Sequence, residues 1–257
     1  MTPHHMKPLN KAHLEAALPS LTISVFDSLP STNDFLKQQT PHLHLCLAEQ
    51  QTAGRGRLGK TWFSPHGMNL YFSLLWPLLD THIALEGLSL VVALSIVKTL
   101  TQFGIHEALK IKWPNDIYAD NKKLAGILIE SQTESRAPRQ IIIGVGLNVN
   151  MPAGTAPDTL KPWTSLQILL NRTLNRHDLV VTLTRALLAT LTQFSQKGFI
   201  HFLPAWHAWD YLAGKNIHLK TGDHTLHGIA QGVNEKGHLL LRTADGHLHA
   251  LASAEII

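Results

Sequence analysis

The sequence predicts an α+β fold, in which a mixed β-sheet domain flanked by helices is followed by a small β-barrel. Up to residue 212, short apolar or alternating runs typical of strands are interleaved with longer runs of helical periodicity. After Gly214 the chain reads as short alternating strands separated by TGD, NEKG and ADG, a spacing typical of small all-β modules. We therefore expect an N-terminal extension at residues 1–20, a main domain at 21–212 and a barrel at 213–257.

The first half of the main domain is predicted to contain three strands and two helices. Leu21–Phe26 forms the first strand, and after a proline turn the sequence STND, beginning at Ser31, can cap a helix. LHLCLAEQ (43–50) and NLYFSLLW (69–76) are the next two strands. The apolar run 85–103 is followed by glycine, which predicts a buried helix with a glycine stop.

The second half continues with strands and then helices. ALKIKW (108–113) predicts a strand, and IYADNKKLAGILIE (117–130) predicts two strands about a tight turn near Asp120 and Asn121. QIIIGVGLNVN (140–150) is a strand rich in β-branched residues. Helical patterns then cover Ser165–Leu170 and Asp178–Gln196, and the aromatic segment FLPAWHAWDYL closes the domain.

Composition excludes several classes of protein. The chain has 257 residues, of which 44% are apolar, enough to fill a core. Its net charge of +4 permits an anionic partner, but no run of Lys and Arg marks a dedicated nucleic-acid binder. The single cysteine, Cys46, rules out an internal disulfide and suits a reducing cytoplasm. We expect a cytoplasmic protein without a membrane span, since no signal sequence and no apolar stretch of about 18 residues is present.

The loop TAGRGRLGKTW raises the question of a phosphate-binding P-loop, because it fits the pattern G-x-x-x-x-G-K-S/T. A P-loop needs a helix directly after it, whereas Pro65 and Gly67 follow here and the next residues alternate like a strand. The P-loop interpretation therefore fails on context. Three glycines interleaved with Arg55, Arg57 and Lys60 still predict a mobile cationic loop that suits a polyphosphate or an acyl phosphate.

Polar residues gather at the ends of the predicted strands in four clusters: STN (31–33), GRGRLGKTW (54–62), KWPND (112–116) with KKLAGILIE (122–130), and GVGLNVN (144–150). With these motifs the chain resembles the biotin protein ligases. That family carries G-R-G-R-x-G-(R/K)-x-W, K-W-P-N-D, K-x-x-G-(I/L)-L-x-E and G-x-G-(I/L)-N-(V/M)-N, and all four occur here in order. The resemblance covers roughly Leu21 to Ile257 and implies a class II synthetase-like biotin/lipoate ligase fold with an SH3-like C-terminal barrel.

The resemblance implies a two-step reaction. The biotin carboxylate attacks the α-phosphorus of ATP, pyrophosphate leaves, and biotinyl-5′-AMP forms. A lysine of a biotin carboxyl carrier protein, from acetyl-CoA carboxylase or a related carboxylase, then attacks this mixed anhydride. Because both steps build negative charge on phosphate oxygens, cationic side chains and Mg²⁺ are the main chemical requirement.

The resemblance also assigns biotin-binding residues. Neutral polar side chains suit the ureido ring, which is itself neutral and polar. Glycines permit close approach of the backbone, Trp62 closes over the apolar part of the ligand or lies in the core, and Lys123 reaches the biotin carboxylate. The full biotin set is Ser31, Thr32, Asn33, Gln51, Gly54, Arg55, Gly56, Arg57, Trp62, Lys123, Gly126 and Gly144.

A second set is implied for ATP and catalysis. The ATP residues are Arg55, Arg57, Lys60, Lys112, Asn115, Asp116 and Asn148, and the catalytic residues are Lys123, Arg57, Asp116 and Lys112. Lys123 would bring the carboxylate and the phosphate together, and Asp116 is the candidate for an indirect contact with Mg²⁺ and for accepting the proton of the carrier lysine. Trp113 and Pro114 are interpreted as structural.

Two departures from the family pattern bear on function. Lys60 stands where many relatives carry arginine, and Leu58 where some carry a further basic residue, so we expect weaker retention of the adenylate but no loss of activity. About 20 residues precede Leu21, too few for the helix-turn-helix domain of the relatives that repress transcription, so we expect no repressor function and no specific DNA binding. The sequence leaves open whether the protein is a monomer or a homodimer.

Three rival functions fit the sequence less well. A lipoate ligase or octanoyl transferase shares the fold, but the transferase needs a reactive cysteine near a lysine, whereas Cys46 lies in a strand pattern. A non-enzymatic vitamin- or nucleotide-binding module would not need Lys112, Asp116 and Lys123 beside a cationic loop. A P-loop hydrolase would need the missing helix.

Overall fold

A computed structural model describes residues 7–78, 80, 82–105, 109–132, 139–157, 160–222 and 224–257. The chain divides into two compact units. The first contains Met1–His82 and Asn121–Arg185, and the second contains Ile83–Asp120 and Ala186–Ile257. The polypeptide thus leaves the first unit, begins the second, and returns, so neither unit is formed by one continuous stretch.

The helices are α1 (Lys11–Ala17), α2 (Thr32–Lys37), α3 (Leu88–Gln102), α4 (Leu166–Leu170), α5 (Arg176–Lys197) and α6 (Leu203–Trp209). The strands are β1 (Thr22–Leu29), β2 (His44–Gln51), β3 (Leu70–Leu78), β4 (Leu109–Lys112), β5 (Asp116–Ala119), β6 (Lys122–Gln132), β7 (Arg139–Leu147), β8 (Asn216–Thr221), β9 (His224–Val233), β10 (Leu239–Thr243), β11 (Leu248–Leu251) and β12 (Glu255–Ile256). Within the described ranges, every predicted strand and helix is present, with ends shifted by a few residues; Ala108, the first residue predicted for the fourth strand, lies outside them.

The first unit is built on a mixed sheet with strands in the order β1-β2-β3-β7-β6. Strands β1 and β2 are parallel, and the other neighbours are antiparallel. The central strands β3 and β7 are apolar and largely buried on both faces, whereas the sequence of β3 was interpreted as an alternating strand. Helix α2 packs Leu36 against Cys46, Leu75 and Ile142, which fixes the start of this helix at the ends of the strands.

A buried ion pair joins distant segments of the first unit. Arg176, at the start of α5, donates from Nη1 to Glu49 Oε2 at 2.6 Å, and both side chains are at most 4% exposed. The same guanidinium donates to the carbonyl of Lys7, and Glu49 accepts the backbone N–H of Leu9. These contacts fix the segment ahead of α1, a helix that lies within the predicted N-terminal extension.

The second unit contains α3 and the β4–β5 ribbon, followed later in the chain by α6. Helix α3 begins at Leu88 rather than at residue 85 because Gly87 has a left-handed φ of 76°. A Cβ on Gly87 would lie 2.4 Å from the ring of Phe199, so only glycine fits there. Trp113 is buried and donates from its indole to the carbonyl of Gly237, which supports its structural interpretation. The peptide bond between Trp113 and Pro114 is cis.

The C-terminal strands form an SH3-like antiparallel sheet in the order β11-β10-β9-β8-β12. The predicted barrel is not closed: among the described strands, β11 and β12 remain at opposite edges of the sheet. Strand β12 is two residues long and pairs through Glu255 and Ile256 with β8, so it is too short to close the barrel. Within the described residues, no helix combines the length and the apolar character that a membrane crossing needs.

Candidate functional site

The polar cluster STN lies where β1 ends and α2 begins. Ser31 has extended backbone angles and accepts a hydrogen bond from the backbone N–H of Asp34, so it is the N-cap that the sequence predicted. Ser31, Thr32 and Asn33 are each less than 5% exposed. Because buried polar groups need partners, these side chains must be satisfied either by the protein or by a ligand.

A continuous hydrogen-bonded chain runs through this cluster. The backbone N–H of Thr32 donates to Gln51 Oε1 at 2.9 Å, and the Thr32 hydroxyl lies 3.1 Å from the same oxygen. Thr32 Oγ1 is also 2.6 Å from Ser73 Oγ, which in turn lies 2.6 Å from Asn33 Oδ1. Three of the four side chains were predicted site residues. Ser73 was not.

Asn33 is held on both sides of its amide. Nδ2 donates to Glu130 Oε2 at 2.8 Å and to the carbonyl of Leu128 at 3.3 Å. Gly144 makes room for the other side, since a Cβ there would lie 2.2 Å from Asn33 Oδ1. The structure therefore brings Gly144 against Asn33, two residues that the sequence placed in separate motifs.

Glu130 belongs to a cluster of four charges of alternating sign, together with Lys37, Asp34 and Arg55. Lys37 Nζ lies 3.0 Å from Asp34 Oδ1 and 2.8 Å from Glu130 Oε1, and the Arg55 guanidinium contacts both carboxylates. Burial opposes ionisation of both acids, but hydrogen bonds from Lys37 and the charge of Arg55 outweigh it, so the pKa values of Asp34 and Glu130 lie below their usual range. Burial likewise disfavours the charge of Lys37, yet the two carboxylates raise its pKa. The charge of Arg55, predicted to face phosphate, is balanced by the protein itself.

The glycine- and arginine-rich loop folds back on itself. Gly56 N–H donates to the carbonyl of Lys60 at 2.6 Å, and Trp62 N–H donates to the carbonyl of Gly54 at 2.9 Å. Arg57 begins a single 3-10 turn, and Leu58 at its tip is 67% exposed. The next helix or strand after this turn is β3, so the rejection of the P-loop interpretation is confirmed.

Trp62 is half-buried and lies across two glycines of neighbouring strands. Gly126 on β6 and Gly146 on β7 are register partners, and a Cβ on either would lie within 3.0 Å of the indole. Lys123 Nζ stands 5.2 Å from the centre of the same indole, within reach of a cation–π interaction. At the other end of the residue, a Cβ on Gly54 would meet the Trp62 carbonyl at 2.8 Å and Gln51 Nε2 at 3.2 Å.

The backbone of Lys123 is fixed by the segment that precedes α4. Its N–H donates to the carbonyl of Pro162, and its carbonyl accepts from the N–H of Thr164, both at 2.9 Å. Asn148, predicted to contact nucleotide, donates its amide to the carbonyls of Thr164 and Lys123 at 3.0 and 3.5 Å. In this structure Asn148 therefore holds the backbone at Lys123, and its contact with nucleotide stays a prediction.

Three predicted residues, Lys112, Asn115 and Asp116, belong to the second unit, and all are partly exposed. Lys112 and Asp116 are register partners across the β4–β5 ribbon, and Lys112 Nζ lies 5.0 Å from the centre of the Tyr118 ring. Burial, and after it the charge of Asp116, raises the pKa of Tyr118 to about 12. The ribbon thus presents an amine and a carboxylate beside a neutral phenol.

Cys46 is fully buried in β2, and burial raises the pKa of its thiol to about 12. A thiol that stays protonated at neutral pH is a poor nucleophile, so the interpretation of Cys46 as a core residue is confirmed.

Sequence reasoning missed three residues of the site, Ser73, Glu130 and Gly146, and two charged residues beside it, Asp34 and Lys37, which pair with each other. Glu130 and Gly146 stand inside two of the four motifs, and Asp34 comes directly after the STN cluster. Ser73 carried a weaker signal, as the single hydroxyl in an otherwise apolar buried strand.

Comparison with known proteins places the chain beside enzymes. Residues 25–148 match the biotin/lipoate A/B protein ligase family, and residues 213–257 match the biotin protein ligase C-terminal domain. The bifunctional ligase/repressor BirA of Escherichia coli is 35% identical over 257 residues, covering 99% of this chain and 79% of the relative. The biotin–acetyl-CoA-carboxylase ligase of Paracoccus denitrificans is 32% identical over 213 residues, covering 82% and 88%.

A solved structure agrees with these sequence matches. The biotin protein ligase of Aquifex aeolicus, in complex with biotin and ATP, superimposes with a TM-score of 0.80 at 28% identity. The match covers 92% of this chain and 98% of that one.

Proposed function

Because the chain belongs to the biotin/lipoate A/B protein ligase family, we propose that the polar cluster and the loop of its first unit bind biotin and the adenylate. The chain is an ATP-dependent biotin protein ligase, as its two matched domains and its relatives show. The roles of its individual residues in that reaction are the proposal.

One observation carries this proposal. Along the first unit, neutral hydrogen-bonding groups at Thr32 and Gln51 are followed by Gly54, then by the Trp62 indole, and then by the Lys123 ammonium. Biotin has the same order of chemical groups: a neutral urea ring, an apolar chain and a carboxylate. Polar donors and acceptors suit the ring, an aromatic face suits the chain, and a cation suits the carboxylate.

In the first chemical step the biotin carboxylate oxygen attacks the α-phosphorus of ATP, and pyrophosphate leaves. The two anions repel each other, so the step needs a cation placed between them. Lys123 is proposed as this cation, and hydrogen bonds fix its backbone. Arg57, on the loop, is proposed to stabilise the negative charge that develops on the phosphate oxygens. In the second step the amine of the carrier lysine attacks the acyl carbon, and AMP leaves; Asp116 is proposed to accept the amine's proton.

Magnesium fits this donor set only in part. Among the described residues, no three His, Cys, Asp or Glu side chains come together as a protein cage for a metal would require. Mg²⁺ commonly uses one or two carboxylates together with substrate phosphates, so Asp116 of the second unit is the proposed protein carboxylate. When bound, the ion would neutralise charge on the departing pyrophosphate. Lys112, Asn115 and Lys60 are proposed to contact the ATP phosphates.

The acceptor protein, the oligomeric state and the domain boundaries are also proposals. The acceptor is a biotin carboxyl carrier protein, and we propose that of acetyl-CoA carboxylase because a relative with 32% identity carries that name. The domain bounds 21–212 and 213–257 stay a proposal, since the compact units divide the chain differently. Cytoplasmic location, oligomeric state and the absence of operator binding also stay predictions.

Lipoate, which the family description also names, and octanoate are the competing acids against which the proposed biotin site is tested. Measuring pyrophosphate release from Mg-ATP with biotin, lipoate and octanoate in turn decides between them. We expect biotin to be preferred by at least about a hundredfold in kcat/KM, because acyl chains without a urea leave the buried polar groups unmatched. Equal rates with octanoate would overturn the assignment of the Thr32 and Gln51 region to the urea ring.

A further inference from the structure

The buried hydrogen bonds that link Asn33, Ser73, Thr32 and Gln51 can be given a direction by counting donors, starting at Glu130. An ionised carboxylate only accepts hydrogen bonds, and the pKa of Glu130 is held low by its neighbours. Its Oε2 and the carbonyl of Leu128 both face Asn33 Nδ2, so both amide hydrogens of Asn33 are committed to acceptors. Asn33 Oδ1 is therefore the atom that must face Ser73.

The orientation of Asn33 determines the direction of the next two hydrogen bonds, through Ser73 to Thr32. Since Asn33 Oδ1 accepts, the single hydroxyl hydrogen of Ser73 points to it, across 2.6 Å. The 2.6 Å contact between Ser73 and Thr32 must then use the hydrogen of Thr32. With that hydrogen committed, none remains for the 3.1 Å contact between Thr32 Oγ1 and Gln51 Oε1.

Thr32 Oγ1 and Gln51 Oε1 are thus two acceptor oxygens held side by side. Gln51 Oε1 cannot turn away easily, because the backbone N–H of Thr32 also donates to it at 2.9 Å. Two such oxygens with no hydrogen between them are satisfied by an N–H donor from outside, and a cyclic urea carries two N–H groups.

We propose that Glu130 is a positioning residue, which sets the direction of the hydrogen bonds from Asn33 to Thr32 so that an acceptor pair faces a urea N–H of the substrate. The inference rests on the proposed function. Glu130 itself need not touch the substrate. Among the described residues, the hydrogen bonds of the Asp34 carboxylate go to the same two cations, Lys37 and Arg55, and not to the Asn33 amide.

Glu130→Gln should reverse the direction of the hydrogen bonds between Asn33, Ser73 and Thr32. Glu130 Oε1 receives Lys37 at 2.8 Å and two nitrogens of Arg55 at 3.2 and 3.3 Å, whereas Oε2 receives one nitrogen of Arg55 at 3.1 Å and the amide of Asn33. A glutamine keeps more of the cationic donors with its oxygen at the Oε1 position, which turns its NH₂ toward Asn33. Asn33 would then flip its amide and give up its 3.3 Å hydrogen bond to the Leu128 carbonyl, which is longer than the 2.8 Å bond at position 130. Ser73 would donate to Thr32, and the hydrogen of Thr32 would lie between Thr32 and Gln51. The acceptor pair would satisfy itself and would no longer need the ligand's donor.

The test measures KM for biotin and for ATP in pyrophosphate release. Glu130→Gln should raise KM for biotin by about tenfold, the effect of one mispaired buried hydrogen bond, and change KM for ATP by less than about twofold. Asp34→Asn is the matched control, since it removes a carboxylate from the same cations; its KM for biotin should change less than about twofold. Ser73→Ala removes the hydroxyl that links Asn33 to Thr32 without changing the charge, and it should also raise KM for biotin.

The decisive variant is the double exchange Asn33→Asp with Glu130→Gln. The glutamine amide at position 130 then donates to a carboxylate at position 33, which still accepts from Ser73, so the direction from Ser73 to Thr32 is restored, although the donor to the Leu128 carbonyl is lost. KM for biotin should return to within about threefold of wild type, although Asn33→Asp alone, with two carboxylates facing each other, should raise it by about tenfold or more.

Three outcomes would overturn the inference: an unchanged KM for biotin in Glu130→Gln, equal effects of Asp34→Asn and Glu130→Gln, or a double variant no better than Glu130→Gln. Failure of the wild type itself to release pyrophosphate with biotin would remove the proposed function as well, and the two failures are told apart by the wild-type measurement. Thermal unfolding of each variant shows that a changed KM does not reflect loss of folded protein.

Discussion

The indole of Trp62 occupies the space in which a side chain at position 146 would stand. A Cβ on Gly146 would lie 2.3 Å from Trp62 Cε2, closer than non-bonded carbon atoms approach. The glycine therefore fixes the depth at which the indole lies on the sheet, beside the Lys123 ammonium.

Gly146→Ala should displace this indole. We expect a loss of about 1–3 kcal/mol in the free energy of unfolding, as for other overpacked sites, and a higher KM for biotin. Urea unfolding measures the first effect and pyrophosphate release the second. In a Trp62→Ala background, Gly146→Ala should lower the free energy of unfolding much less. An equal decrease in both backgrounds would mean that the indole is not what excludes the methyl group.

Lys123→Met should lower the rate of adenylate formation by roughly 100-fold or more, because the anions lose the cation between them. The backbone of this residue is held by Pro162 and Thr164, so the substitution removes charge without releasing the strand. Single-turnover formation of the adenylate is the measurement. Lys122→Met, at the exposed neighbouring position, is the control and should be near wild type; a near-normal rate in Lys123→Met would end the proposed role.

Limited trypsin digestion should report closure of the loop. We expect the first cuts within the loop, after Arg55, Arg57 or Lys60, because its tip at Leu58 is exposed. Biotin with Mg-ATP should slow these cuts far more than ATP alone, because the adenylate offers a phosphate to the loop cations. Cutting that proceeds at one rate with and without both substrates would show that the loop does not close.

Loss of Arg57 should shorten retention of the adenylate. Arg57→Gly is expected to form biotinyl-5′-AMP but release it sooner, since the loop keeps its flexibility and loses a phosphate contact. Chasing radiolabelled adenylate from the enzyme measures this rate. Leu58→Gly, which changes the exposed tip without changing charge, is the comparison, and equal release from both variants would count against a phosphate contact by Arg57.

The charge cluster predicts a pH dependence of stability. The pKa values of Asp34 and Glu130 are lower in the folded protein than their ordinary 3.8 and 4.5, so the folded state binds protons less readily than the unfolded chain. Their stabilisation is present above those ordinary values and is lost as the pH falls through them toward the folded pKa. Asp34→Asn/Glu130→Gln should therefore be less stable than wild type at neutral pH, and the difference should shrink in acid. A difference in unfolding free energy that stays constant down to about pH 3 would contradict this origin.

Much of this architecture could be read from the sequence. The mixed sheet, the buried helices, the SH3-like end and the family were all predicted, because apolar periodicity and motif order depend on local residue types. The start of α3 was placed three residues early, since the left-handed turn at Gly87 depends on its packing against Phe199.

The partners of charged residues could not be predicted in the same way. Arg55 was assigned to phosphate because it stands in a cationic loop, but its ion pairs depend on where β6 places Glu130 in space. Ser73 enters the polar chain because β3 and β7 align it with Gly144, a position open enough for Asn33 to approach. Strand register decides both contacts, and register is a property of the assembled sheet.

The contact between Glu49 and Arg176 has a consequence for synthesis on the ribosome. The two residues are 127 positions apart, so Glu49 leaves the exit tunnel long before the guanidinium that neutralises it. In the first part of that interval the sheet of the first unit lacks β6 and β7, while the opening segment of the second unit, Ile83–Asp120, emerges ahead of them. The nascent chain therefore exposes two incomplete hydrophobic cores at once. We expect a chain that stalls before residue 176 to bind chaperones.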